Sequence, residues 1–124
     1  MGKFIFKPTR TGFVFHLKAG NGETIAVSEV YKSEDACMNG IESVRKNAPE
    51  ANIEDQTVEG FEKASSPKFE VYVDKRGEFR FRLKARNGQI IAVSESYKQK
   101  PGVLNGVESV RKNAADSPVE KIKG

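Results

Sequence analysis

An α+β fold, made of two tandem β-β-β-α repeats that share one core, is predicted from three observations. Residues 13–48 are written again as residues 79–114, an offset of 66 positions with about two thirds of the positions identical. Within each copy, apolar side chains first alternate with polar ones and later recur at helical spacing. An Asn-Gly pair, Asn21-Gly22 and again Asn87-Gly88, separates two of the alternating runs as a hairpin turn requires. Identity at this level is far above chance, so the chain is a duplicated unit of about 50 residues. With 124 residues and 37% hydrophobic content, it holds one modest core. A lone unit would be marginal, and two units sharing a core is the stable solution.

The expected organisation is a first repeat over residues 1–54, a linker over 55–67 and a second repeat over 68–124. In the first repeat, Phe4-Ile5-Phe6 marks a strand over residues 3–7, ended by Pro8 and a turn at Thr11-Gly12. Phe13, Phe15 and Leu17 alternate with Val14, His16 and Lys18, which predicts a strand over 13–19 with one buried face. Asn21-Gly22 then turns the chain into a strand over 24–28. Two turn geometries fit, and they differ by one residue in register. A two-residue turn aligns Phe15 and Leu17 with Ser28 and Ala26. A three-residue loop with Gly22 as the bulge glycine aligns them with Val27 and Ile25, and burial favours this form because it collects apolar residues on one side.

Ser33 is placed to cap a helix over 34–47. Glu34 and Asp35 suit its positive start, Arg45 and Lys46 suit its end, and Pro49 blocks continuation. Cys37, Ile41, Val44 and Ala48 form its apolar stripe. The second repeat predicts strands over 69–73, 79–85 and 90–94 and a helix over 101–113, with the stripe kept as Val103, Val107, Val110 and Ala114 and with Pro101 near the start. The exact block Glu42 to Ala48 returns as Glu108 to Ala114. Upstream, Lys3-Phe4 meets Lys68-Phe69 and Gly12 meets Gly77, which leaves Glu78 as an inserted residue. Downstream, the copies fade through Ile53-Glu54 against Val119-Glu120. The segment 55–67, with Glu59, Glu62, Ser65 and Ser66, reads as a polar linker over the surface.

Gly40 and Gly106 lie inside the predicted helices, where glycine costs about 1 kcal/mol relative to alanine. Either a close approach of the helix backbone to its neighbours offsets that cost, or the space is left for a ligand.

The order Phe81-Arg82-Leu83-Lys84-Ala85-Arg86-Asn87-Gly88, then Ile91, Ser94-Glu95, Tyr97 and Asn105-Gly106-Val107-Glu108-Ser109-Val110, resembles the YegP-like family of small bacterial proteins, and the first copy carries the matching residues. The family is a domain of unknown function, often in tandem. The resemblance implies antiparallel strands with helices on one side and the two units in a pseudo-twofold arrangement, and it supplies no catalytic residues. Pro8 and the residue missing before Phe13 are departures that bear on the pairing of the first strand.

Composition narrows function less than architecture. The net charge of +4 and the sequence pI of about 9.2 describe an ordinary surface with a basic lean, which permits an anionic partner without demanding one. The single cysteine, Cys37, becomes Val103 in the second copy and reads as a small core residue, so no disulfide framework is expected. The single histidine, His16, becomes Arg82 and reads as a solvated strand residue. With one of each, zinc spacing is absent, and neither a metal nor another cofactor is expected. No apolar run has the length of a spanning helix, and Phe6 stands where a myristoylation signal carries Ser or Thr. A cytoplasmic, monomeric protein with an internal pseudo-dimer is therefore expected.

Two candidate sites emerge. Ser28, Glu29 and Tyr31, beside Lys32, recur as Ser94, Glu95 and Tyr97. They offer a carboxylate, a hydroxyl and a phenol to a polar ligand, or else they end the strand and pack the tyrosine ring at its rim. Asn39 with Glu42 and Ser43 is a lesser polar group off the apolar stripe. Arg80, Arg82, Lys84 and Arg86 alternate with core residues on one strand, spaced to meet successive phosphates; the alternative is a solvated face that blunts a sheet edge. The first copy has Val14, His16, Lys18 and Gly20 there, so anion binding is expected of the second unit. No catalytic residue is expected. The function that follows is a non-enzymatic protein-interaction or structural module, with nucleic-acid binding through the arginine stripe as the alternative.

Overall fold

The computed structural model describes residues 2–122. In chain order the elements are β1 (Lys3–Pro8), β2 (Phe13–Lys18), β3 (Thr24–Val27), α1 (Glu34–Asn47), β4 (Asn52–Asp55), β5 (Lys68–Val73), β6 (Phe79–Lys84), β7 (Ile90–Val93), α2 (Lys100–Ala114) and β8 (Val119–Lys121). A 3₁₀ turn over Ala48–Glu50 follows α1. All strands belong to one eight-stranded sheet in the order β4-β5-β6-β7-β3-β2-β1-β8.

β4 and β8 are additions to the predicted pattern, and they change its topology. Each repeat sends its last strand to the other: β4 lies parallel to β5, and β8 lies parallel to β1. The expected antiparallel sheet is therefore mixed, because a strand that arrives from across the helices runs the same way as the edge it joins. The predicted linker also begins too early, since Asp55 is still in β4. Strands this short show no alternation, and the faint likeness of Ile53-Glu54 to Val119-Glu120 was their only trace. The two halves meet at the sheet centre where Val27 of β3 pairs antiparallel with Val93 of β7.

β1 pairs with β2 along its whole length, from Lys3 opposite Lys18 to Pro8 opposite Phe13. Pro8 sits at the end of the strand, where its missing amide hydrogen costs least. The inserted Glu78 lies in the β5–β6 turn, accepting from Asp74 N at 2.8 Å, with Gly77 at φ +82°. The insertion thus lengthens a turn and leaves the ladder intact.

The β2–β3 hairpin corrects the expected register. Its loop is the three-residue form: Gly22 N donates to Ala19 O at 2.9 Å, Ala19 N donates to Glu23 O at 2.9 Å, and Gly22 takes φ +87°. A second bulge follows at once. Lys18 pairs with Thr24 but Leu17 pairs with Ala26, so Ile25 is an extra residue, and Ser28 N donates to Phe15 O at 2.9 Å. Phe15 and Leu17 therefore face Ser28 and Ala26, the register of the rejected two-residue turn. The bulge buries Ile25 and Ala26 together, which strict alternation cannot do. The second repeat repeats the slip, with Lys84 opposite Ile90 and Leu83 opposite Ala92.

One apolar cluster joins Phe4, Phe15, Leu17, Phe69, Phe81 and Leu83 of the sheet to Cys37, Ile41, Val44, Val103, Val107 and Val110 of the helices. Each fully buried side chain of this kind contributes about 1.5–3 kcal/mol. Ser33 Oγ accepts from Ala36 N at 3.1 Å and caps α1, whereas α2 begins at Gln99 without a side-chain cap and with proline in its first turn. The helical glycines are explained by tyrosine. Tyr31 stacks on Phe15 with centroids 6.1 Å apart, and a Cβ on Gly40 would lie 2.4 Å from Tyr31 Oη and 3.0 Å from Phe15 Cε2. At Gly106 the corresponding distances are 2.5 Å to Tyr97 Oη and 3.0 Å to Phe81 Cε2. The space these glycines create is filled by the protein itself.

Candidate functional site

The duplicated Ser-Glu-Tyr constellation separates into parts with different work. Ser28 Oγ accepts from Phe15 N at 2.9 Å and donates to Glu29 O at 2.7 Å. Ser94 Oγ makes the same pair, accepting from Phe81 N at 2.9 Å and donating to Glu95 O at 2.8 Å. Both hydroxyls are buried and satisfied, and they brace the strand ends just past the bulges. Tyr31 and Tyr97 turn away, under the helical glycines, and bridge to Phe13 and Phe79 through their backbones. Burial raises both phenols above their ordinary pKa. Only Glu29 and Glu95 stay exposed. They come together with Ser28, Ser94 and Arg80 around an open groove of about 500 Å³ at the β3–β7 junction. Asn39 is exposed on α1. Cys37 is fully buried, and burial pushes its thiol up to about 11, so it is a core residue and a poor nucleophile.

Arg80, Arg82 and Lys84 lie at alternate positions of β6, whereas Arg86 lies past the end of the strand in the β6–β7 loop, beside Glu42 and Lys46 of α1, and the four do not make a free basic surface. Arg82 Nε meets Glu70 Oε1 at 2.5 Å, and Lys84 Nζ lies 3.2 Å from Glu70 Oε2. Arg80 Nε pairs with Asp74 Oδ2 at 3.0 Å, and Arg86 Nη2 with Glu50 Oε2 at 3.2 Å. Lys68 Nζ joins the network at 2.8 Å from Glu54 and 3.2 Å from Glu70. Burial would raise the carboxyl of Glu54, yet hydrogen bonds from Lys68, Gln56 and Ala64 N overcome it and hold it at about 2. Glu70 is also lowered, against its burial, by Arg82, Lys68 and Lys84. The carboxylates of Glu70, Asp74 and Glu50 thus already occupy the places that phosphates would take, and nucleic-acid binding there loses its footing. The aromatic that the sequence reading missed on this face is Tyr72, whose ring lies 4.5 Å beneath the Arg82 guanidinium. Residues 68–72 alternate as Phe69 and Val71 do, so both Glu70 and Tyr72 were visible as outward positions of β5.

The corresponding face of the first half is different. Ile5 stands where Glu70 does, with 6% exposure although it points away from the main core, and Val14 beside it is also nearly covered. His16 lies in the place of Arg82. Its pKa is lowered by burial first and then by Lys7 and Lys18, with Glu95 opposing. Lys7 and Lys18 form no ion pair among the described residues.

Two further arginines, duplicated in the exact block, hold the exchanged strands. Arg45 of α1 lies over the Phe4 ring at 5.5 Å and donates through Nη2 to Ser117 O, just before β8. Arg111 of α2 lies over Phe69 at 5.7 Å and donates to Ala51 O, just before β4. Glu42 and Glu108, three residues earlier, orient them at 2.6 and 2.8 Å. Both also lie in the last turn of their helices, where a cation complements the helix dipole.

Among the described residues no group of three His, Cys, Asp or Glu gathers as a metal site, and no helix is long and apolar enough to cross a membrane. A family model described as a domain of unknown function, DUF1508, matches residues 10–55 and 74–120. The chain is similar to the UPF0339 protein in the ptx operon 5' region of Stutzerimonas stutzeri, 37% identical over 110 residues, which cover 89% of this chain and 86% of that protein. It is also similar to two solution NMR structures. One is the UPF0339 protein SO3888 of Shewanella oneidensis, with TM-score 0.81, 32% identity and coverage of 98% of this chain and 92% of that one. The other is the protein of unknown function yegP from E. coli, with TM-score 0.80, 35% identity and coverage of 99% and 94%.

Proposed function

The chain belongs to the YegP-like DUF1508 family of bacterial proteins, and on that premise we propose that it is a non-catalytic, cytoplasmic protein-interaction module built as a pseudo-dimer within one chain. Replacing each strand by its counterpart makes the sheet order read the same from either end, which supports a pseudo-twofold axis near the Val27–Val93 pair with both helices on one side. The lone buried thiol suits a reducing compartment.

The observation that carries the interaction reading is the segment between the repeats. Val58 is 49% exposed and Phe61 38% exposed, on a turn closed by Phe61 N donating to Val58 O at 3.2 Å, with Gly60 at φ +73°. The turn is tied down on both sides. Asp55 Oδ1 accepts from Thr57 N at 3.0 Å, Glu54 Oε1 accepts from Ala64 N at 2.8 Å, and Asn52 Nδ2 donates to Ser65 O at 3.0 Å. Two apolar side chains on a braced turn lose little freedom when a partner covers them, which favours binding. The segment lies outside both stretches matched by the family model, residues 10–55 and 74–120, so the shared repeat does not account for it. Its neighbours Glu59 and Glu62 select a partner pocket with a basic rim.

The test is a pull-down from nuclease-treated bacterial lysate with the intact chain and with a Val58→Ser, Phe61→Ser variant. The intact chain is expected to retain a defined protein that the variant loses, while stability stays within about 0.5 kcal/mol because both side chains are exposed. Identical retention by the two proteins, or retention that vanishes with nuclease, would overturn the reading.

A further inference from the structure

On the outer face of the first half, β1, β2 and β3 enclose a cleft lined by Ile5, Lys7, His16, Lys18, Thr24 and Ile122. It lies apart from the turn proposed above to bind protein. Ile122 is held against β1 by its amide, which donates to Phe6 O at 2.8 Å. The floor is apolar and nearly closed to water at Ile5, and the wall at Ile122 is apolar and 40% exposed. The remaining rim is cationic or ionisable: Lys7 from β1, with Lys18 and His16 from β2. Across the sheet the same positions hold Tyr72, Lys84 and Arg82, and there Glu70 and its neighbours neutralise the charge. Here the counterpart of Glu70 is Ile5, so the two lysines are left without a carboxylate among the described residues. The other charged groups around the cleft are already engaged or distant: Lys3 pairs with Glu120 at 3.0 Å, Lys121 pairs with Glu34 at 2.7 Å, and Glu95 reaches His16 only as a weak opposing charge.

We propose that this cleft binds a ring-sized organic anion, an apolar body seated on Ile5 and Ile122 whose single phosphate or carboxylate group meets Lys7, Lys18 and His16. The size argument is direct. The cleft encloses about 170 Å³, and a cavity of about 150 Å³ holds one benzene. The charge argument is equally specific. Unpaired cations beside a low-dielectric floor attract an anion more strongly than the same cations in water, and an apolar body removes the remaining floor from solvent. An anion held there also favours the imidazolium of His16, whose present surroundings disfavour it.

His16 is the only histidine in the chain, so its ring resonances report the site without ambiguity. The experiment is an NMR titration of the full chain with phenyl phosphate, benzoate, inorganic phosphate and benzyl alcohol. Phenyl phosphate or benzoate, or both, should shift the His16 ring signals and raise its apparent pKa, and which of them does so names the anionic group. Inorganic phosphate and benzyl alcohol should bind at least about tenfold more weakly, since each lacks one half of the recognition. Lys7→Glu with Lys18→Glu should abolish the response, and Lys84→Glu should leave it unchanged. If charge reversal perturbs the amide spectrum beyond the site, Lys7→Gln with Lys18→Gln serves in its place. A silent His16, equal binding of either half-ligand, or a response that survives loss of both lysines would overturn the proposal.

Discussion

Ile5 on β1 and Glu70 on β5 occupy corresponding places in the duplicated sheet, and the outer surface around each has been rebuilt to suit. Around Glu70 the neighbours are Lys68, Arg82 and Lys84, gathered on one carboxylate of 3% exposure. Around Ile5 they are Val14, His16 and Ile122, with the lysines left at the margin. The inner face shows no such divergence: Phe4 matches Phe69, Phe15 matches Phe81, and the glycine-tyrosine contacts recur within 0.1 Å at the hydroxyl. A shared core tolerates little change because both copies must fill the same space. The outer face is under no such constraint, so it is where the copies differ most.

The comparison breaks most severely at Glu70. Glu70→Ile gives the second half the residue of the first, strands Arg82 and Lys84 and leaves Lys68 to Glu54 alone, so urea denaturation should show a loss of about 2–3 kcal/mol. That is below the cost of breaking a fully buried pair because water still reaches the cations. A change under about 0.5 kcal/mol would mean that the network is ornamental. Next is Gly106→Ala, where the clash with Tyr97 outweighs the gain in helix propensity and lowers stability by about 1–2 kcal/mol. Adding Tyr97→Phe should recover part of the loss. Gly40→Ala with Tyr31→Phe should behave alike, which would sharpen the claim that the inner face is one design used twice.

The arginine clamps make a crosswise prediction of about 1–2 kcal/mol each, the range of a hydrogen bond from a charged donor. Arg111→Ala, although in the second helix, should speed amide hydrogen exchange in β4 of the first repeat, and Arg45→Ala should do so in β8. Exchange that quickens in the variant's own repeat instead would contradict the strand exchange. The last contrast is between the buried Glu54 and the exposed Glu120. Glu54 is depressed to about 2 in the folded state, so its contribution is complete above the ordinary carboxylate range. It is lost as pH falls from about 4.5 toward 2. A Glu54→Gln variant should show a flatter acid limb in stability measured against pH. Glu120 pairs with Lys3 on an open surface, and Glu120→Gln should move stability by no more than about 0.5 kcal/mol.

The repeat, the four six-residue strands and both helices were legible because each is long enough to show its period, and the four-residue β3 and β7 were legible because an Asn-Gly turn announces each of them. β4 and β8 are four and three residues long, too short for any period, and their partners lie in the other repeat. The hairpin register failed for a related reason. A bulge at the Asn-Gly loop was the right inference, but a second one at Ile25 reversed its effect, and alternation cannot count two slips. Three members of the arginine stripe were placed on the correct strand, yet its neutralisation depends on Glu50, Glu70 and Asp74, whose pairings no local pattern records. Gly40 and Gly106 were the opposite case. An unfavourable residue kept twice signals close packing, and the residue responsible in each copy, Tyr31 or Tyr97, is one that the sequence also offers as a ligand group.

Phe4 of β1 lies opposite Val119 of β8, so β1 is synthesised long before the strand that covers its edge. Until β8 has been synthesised, β1 presents an open edge of unpaired amides and carbonyls, the kind of edge on which nascent chains associate wrongly. A chain released before β8 would leave that edge open to the cell's chaperones and proteases.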